Sequence, residues 1–104
     1  MNKIPYEDRC EVYLKAIWKF GTSLQMLVAI EEMSEVIKSI TKMERRFHQP
    51  HTAEELAECK ASIIEEVADA TIMLEQLRLI FGINDEVCEA MDAKIERLKE
   101  RVGK

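Results

Sequence analysis

Along most of the chain, apolar positions recur every three to four residues, the spacing of a helix face, with no strand-like alternation. Val12, Tyr13, Ile17 and Phe20 form the first stripe. Pro5 ahead of it and Gly21 behind it predict a helix from about Tyr6 to Phe20. Thr22-Ser23-Leu24-Gln25 then reads as a capping box, with Thr22 as N-cap and Gln25 reaching back. A second helix carries Leu24, Leu27, Val28, Val36, Ile37, Ile40 and Met43 and ends near Phe47. His48-Gln49-Pro50-His51 breaks it, because Pro50 disfavours helix at the residue before it.

Thr52-Ala53-Glu54-Glu55 is a further capping box and starts a third helix. Its first half, through Lys60, is polar and is expected to be loosely packed or kinked. From Ile63 to Phe81 it is apolar on more than one face, and Gly82 suits its C-terminal cap. Asn84 is expected to cap a fourth helix reaching about Val102, with Asp85 and Glu86 in its first turn and a narrow stripe of Val87, Met91, Ile95 and Leu98. No internal repeat or low-complexity tract interrupts this series. The expected architecture is all-α, a four-helix bundle-like protomer in one domain of residues 1–104. The apolar coat of the third helix exceeds what three small neighbours need to cover, which predicts a homodimer or homotetramer.

Composition narrows the partners. With 34% charged and 47% hydrophobic residues the chain is far from disorder. Its formal net charge of -5 argues against a nucleic-acid polymer, and an anionic ligand would have to arrive with a cation. No apolar run reaches the length of a membrane span and no secretory signal opens the sequence, so a cytoplasmic location is expected. Cys10, Cys59 and Cys88 lack ligand spacing and read as reduced thiols; His48 and His51 read as turn residues.

The two most apolar helices also carry acids. Glu32 with Glu35, and Glu66 with Asp69, lie three residues apart, which puts each pair on one helix face. The two pairs are equidistant from the His48–His51 turn, so an antiparallel fold-back brings them to one level. Two like charges ~5 Å apart repel by roughly 3 kcal/mol at an effective dielectric of ~20, so four carboxylates need protons or a metal to coexist. Oxygen-only ligands select hard cations, and Mg²⁺ or Mn²⁺ is the natural occupant. A di-iron carboxylate site is disfavoured, since neither histidine stands in a Glu-x-x-His motif. Neither a Gly-rich phosphate loop nor a Ser/His/Asp or Cys/His constellation is evident, which argues against a P-loop or a covalent nucleophile.

The motifs Glu31-Glu32-x-x-Glu35 and Glu66-x-x-Asp69, with an apolar approach to the first and Ile72-Met73-Leu74 after the second, resemble the MazG-like all-α nucleoside triphosphate pyrophosphohydrolases from about Trp18 to Arg101. The thirty residues between Glu35 and Glu66 exceed the family's usual spacing and leave the linker's conformation open. The resemblance implies a hydrolase that cleaves a nucleoside triphosphate to the monophosphate and pyrophosphate, in nucleotide-pool housecleaning. It implies Glu32, Glu35, Glu66 and Asp69 as Mg²⁺ ligands, with Glu31 as a further ligand or an orienter of the attacking water. Glu65 reads as structural. The resemblance also implies Lys94, with Arg97 and Arg101 on a nearby face, as phosphate contacts; Lys38 and Lys42 are weaker candidates. Trp18 would stack on the base and Gln25 would bond its edge. Two alternatives stand beside this reading: hydrolysis of a phosphoribosyl-type pyrophosphate on the same fold, and a noncatalytic helical assembly module with solvated acids.

Overall fold

The computed structural model describes residues 2–103, which form four helices and no strand: α1 Tyr6–Phe20, α2 Thr22–Phe47, α3 Ala53–Phe81 and α4 Asn84–Val102. Their ends follow the local chemistry with two exceptions. Gly21, at φ 91°, lets the chain leave α1 and enter α2 within one residue, a conformation that a side chain would strain. At Thr52 the expected capping box forms: Thr52 Oγ1 accepts from the Glu55 N–H at 3.1 Å, and Glu55 Oε1 accepts from the Thr52 N–H at 3.2 Å. Gly82 closes α3 in the left-handed region at φ 64°.

The expected capping box at Thr22 does not form. Gly21 is the N-cap, its carbonyl accepts the Gln25 N–H at 3.1 Å, and no side chain caps the helix. Thr22 is therefore already helical, and the Gln25 side chain is committed elsewhere. Nor does Asn84 cap α4. Ile83 holds that position without a side-chain bond, while Asn84 Oδ1 accepts from Arg78 Nη1 at 3.4 Å.

The framework is an antiparallel hairpin of α2 and α3 about the turn at residues 48–52. Gln25 meets Gln76, Glu32 lies beside Asp69, Glu35 acts on Glu66, and Arg46 pairs with Glu55 at 2.6 Å. In each pair the two residues are equally far from the centre of the turn, so one register holds along the whole hairpin. The inward positions of α2 are Gln25, Ala29, Glu32, Val36, Ser39 and Met43, alternating four- and three-residue steps; Cys59, Ile63, Glu66, Ala70 and Met73 do the same on α3. This is a heptad seam, the pattern that keeps two helices in contact as they wind together. Small and polar side chains take most of its buried positions, with Ala29 only 1% exposed and Ser39, Cys59 and Ala70 buried beside the larger Met73. Small residues there let the helices approach closely. The first half of α3, expected to be loose or kinked, is continuous helix and contributes the buried Cys59.

The large apolar residues mostly face the other way. Leu27, Ile30 and Ile37 on α2, and Ile64, Val67 and Leu74 on α3, are exposed and fall on second stripes with the same three- and four-residue steps. From α1, Tyr13 is buried while Val12 and Phe20 are exposed. Helix α4 buries no residue, and its meeting with α3 is marked by Arg78 reaching Asn84 and Met91 Sδ. The radius of gyration is 17.0 Å, against about 13 Å for a compact domain of this length. No helix of the described residues is long and apolar enough to cross a membrane.

Candidate metal centre

Two neighbouring levels of the hairpin carry the acids. Glu32 and Glu66 occupy seam positions, and Asp69, one turn beyond Glu66, reaches the same point from the seam's edge. One carboxylate oxygen from each of Glu32, Glu66 and Asp69 lies within 4.8 Å of the others. Octahedral Mg²⁺ holds oxygens at about 2.1 Å, so cis and trans ligand oxygens sit roughly 3 and 4 Å apart. Small side-chain rotations close that difference. Glu32 and Glu66 are half-buried and Asp69 is exposed, so the cluster opens to solvent on one side.

The electrostatics match an anionic cage. Desolvation, then the charges of Asp69, Glu66 and Glu31, push the Glu32 carboxyl above the usual carboxylate range. The Glu66 carboxyl is raised likewise, first by desolvation and then by Glu35, Asp69 and Glu65. All these influences disfavour a second and third negative charge at one place. A divalent cation reverses them. The donor set is all oxygen, which fits Mg²⁺ or Mn²⁺ and disfavours softer metals.

The remaining sequence candidates fall in three places. Glu35 stands outside the group of three; its charge acts on Glu66, and it pairs with Lys38 Nζ at 3.3 Å. Glu31 is exposed beside Glu32. Gln25 is 7% exposed and donates Nε2 to Gln76 Oε1 at 2.7 Å, so its amide is engaged inside the seam. Trp18 is not core, being 90% exposed at the end of α1. Lys94, Arg97 and Arg101 line a hollow of about 460 Å³ to which only α4 contributes. Within one protomer they are not gathered with the acids. The stretch of residues 36–65, whose conformation the sequence left open, is helix, a short turn and helix.

Sequence reasoning missed a second polar cluster. Glu75 accepts from Arg9 Nε at 3.0 Å, Arg9 Nη2 at 2.8 Å and the Tyr13 hydroxyl at 2.5 Å, on one wall of a cavity of about 740 Å³ between α1 and α3. The Arg9 hydrogen bonds hold the Glu75 carboxyl below its ordinary value, and burial pushes the Tyr13 hydroxyl up to about 12. An acid within the largely apolar stretch Ile72–Ile80 was its sequence signal, but Glu75 had no acidic partner at helical spacing that would suggest a site. No family model, curated protein or solved structure matches the chain.

Proposed function

We propose that the protein is a Mg²⁺-dependent nucleoside triphosphate pyrophosphohydrolase, releasing pyrophosphate and a nucleoside monophosphate. The observation that carries the reading is the convergence of Glu32, Glu66 and Asp69 from two helices within 4.8 Å. Those three residues would hold the metal. Glu35 would join them on giving up Lys38, and Glu31 at the exposed edge would orient the attacking water. Bound there, Mg²⁺ supplies neutralisation of the triphosphate and a water of lowered pKa for in-line attack on phosphorus. The seam fixes the backbone positions of the acids, which limits reorganisation on binding. Mn²⁺ fits the same donors.

The active species in this reading is a homo-oligomer, a dimer or a tetramer. Its support is the second apolar stripes of α2 and α3, which one protomer leaves uncovered, together with the unburied α4. A second copy laid on those stripes would complete a four-helix core. It would also give Lys94, Arg97 and Arg101 a route to a neighbour's acids that one chain lacks. A noncatalytic assembly module is favoured by the same exposed stripes and by them alone, since it has no use for carboxylates held in a seam. Hydrolysis of a phosphoribosyl-type pyrophosphate needs the same cage and differs only in the organic group.

The deciding assay is a panel of ribo- and deoxyribonucleoside triphosphates with Mg²⁺, scored for pyrophosphate against orthophosphate. Pyrophosphate release that requires Mg²⁺ and is lost in Glu66→Gln is the expected result. Folded protein that is silent across the panel, and shows no Mn²⁺ binding dependent on Glu66, would sink the reading in favour of the assembly module.

A further inference from the structure

The sequence motifs direct attention to α4 for phosphate contacts, yet the charge that adjoins the acids lies on α2. Lys38, Lys42, Arg45 and Arg46 place four of the chain's 15 Lys and Arg residues within nine positions, in a protein of net charge -5. With Thr41 and Gln49 they line a hollow of about 670 Å³. At 100° per residue, Glu35 and these four cations fall within roughly a 100° arc of the helix. The flank of α2 that begins at Glu35, beside the seam that holds Glu32, thus turns basic one turn further on.

Two of the cations are already engaged. Lys38 pairs with Glu35 at 3.3 Å, and Arg46 with Glu55 at 2.6 Å. Lys42 and Arg45 are exposed and make no ion pair among the described residues. Glu44, the acid between them, is taken up by His48 at 2.7 Å. Lys42 lies seven residues from Glu35, about 10 Å along the helix axis. Side chains on a helix lean towards its N-terminus, which for Lys42 and Arg45 is the direction of the acids.

We propose that this flank of α2, through Lys42 and Arg45 with Lys38 at its inner end, binds the oligophosphate part of the ligand as a continuation of the acidic centre. The cations would take the phosphates leaving as pyrophosphate, while the acids hold the metal at the end nearest the nucleoside. Identifying the ligand as a nucleoside triphosphate rests on the pyrophosphohydrolase reading; the anion site on α2 does not. Guanidinium and ammonium groups on one flank suit a chain of phosphates, with Arg45 able to grip two oxygens at once.

The test is calorimetric titration with inorganic tripolyphosphate, with and without Mg²⁺, of the parent protein and of a Lys42→Ala/Arg45→Ala double variant. Both positions are exposed helix sites, and circular dichroism checks that the variant stays folded. The expected result is that the parent binds and the double variant binds about tenfold more weakly or worse. Lys42→Arg should retain binding. Equal affinity in parent and double variant, or no binding by the parent, overturns the proposal. So does retention of anionic vesicles or RNA by this flank when tripolyphosphate fails to bind. Tripolyphosphate binding lost only in the double variant, from a protein that hydrolyses no nucleotide, would keep the anion site and reject the enzyme reading. Hydrolysis that depends on Glu66, with KM unmoved in the double variant, would do the reverse.

Discussion

Gln25 and Gln76 are joined amide to amide inside the α2–α3 seam, 2.7 Å from Nε2 to Oε1, two turns along α2 from Glu32. Both side chains are buried, and Gln76 also reaches Met73 Sδ at 3.6 Å. A buried polar pair at a heptad position adds little net stability, but any slip of register leaves both amides unpartnered. That register is the one that brings Glu32 level with Asp69. The pair therefore acts as a pin for the acidic centre two layers away.

Truncating one partner should be costly and replacing both should not. Gln25→Ala leaves the Gln76 carbonyl buried without its donor and is expected to lower unfolding stability by about 1–3 kcal/mol. A Gln25→Leu/Gln76→Leu protein is expected to denature at or above the parent's midpoint while binding Mn²⁺ more weakly, as register loosens. Urea denaturation paired with Mn²⁺ titration checks both. Unchanged metal affinity in the double Leu protein would show that the seam keeps register without the amides.

The raised carboxyls make stability depend on pH in a defined direction. Glu32 and Glu66 bind protons more readily folded than unfolded. Their contribution is fully present below the unfolded carboxylate value of 4.5 and is lost as pH rises through the raised folded values. Without divalent cations, thermal midpoints should thus carry a falling component from the acids as pH climbs out of the carboxylate range. Glu66→Gln should raise the metal-free midpoint at pH 7, because it removes one charge from a repelling group. Added Mg²⁺ should stabilise the parent and not the variant. A Glu66→Gln protein less stable than the parent at pH 7 without metal would mean that the acids do not repel in the folded state.

Much of this was legible from the chain. All four helices, the Thr52 capping box and the Gly82 cap follow from spacing and local chemistry, and the level meeting of the two acidic pairs follows from their distances to one turn. The seam's composition was not legible, because a search for apolar stripes selects large residues. Here Leu27, Ile30 and Ile37 lie outside while Ala29, Ser39, Cys59 and Ala70 lie inside. Small residues carry weak hydropathy, and their value is close approach, which appears only once a partner helix is in place. The capping role expected of Gln25 fails for a related reason: local capping and a partner fifty-one residues away compete for one amide, and only the fold shows which prevails. For Lys94, Arg97 and Arg101 the helix was found correctly, but a sequence pattern does not give the direction in which α4 leaves α3.

The Arg9–Glu75–Tyr13 cluster should set how α1 is fastened. Glu75 has its carboxyl lowered by the Arg9 hydrogen bonds, so its contribution is present above the ordinary carboxylate value and lost as pH falls through the depressed folded value. The Tyr13 contribution runs the other way, present below its ordinary value of 10.0 and lost as pH rises through about 12. Glu75→Ala strands the buried Tyr13 hydroxyl and half-frees Arg9, and is expected to cost about 1–3 kcal/mol at pH 7. Glu75→Gln should recover part of that. Hydrogen exchange resolved along α1 gives the check: faster exchange there, with α2 and α3 unchanged, is the expected pattern. Uniform acceleration throughout would mean that α1 does not unfasten separately.

The exposed stripes give a prediction about assembly that does not depend on activity. Ile64 and Leu74 are 62% and 46% exposed on one face of α3, and Leu27, Ile30 and Ile37 are more than half exposed on α2. Apolar burial is worth about 25 cal/mol per Å², so a second copy covering both stripes gains substantially where water gains nothing. Ile64→Asp/Leu74→Asp places two charges on that face without touching the α2–α3 seam. The double variant should sediment as a monomer, keep its helicity and still bind Mn²⁺ at Glu32, Glu66 and Asp69, while the parent sediments as a dimer or tetramer. If activity then vanishes with metal binding intact, groups from the neighbouring subunit complete the pocket, as the placement of Lys94 on α4 alone leads one to expect. A parent that sediments as a monomer at micromolar concentration would remove the homo-oligomer from the proposed function and leave those stripes for some other cover.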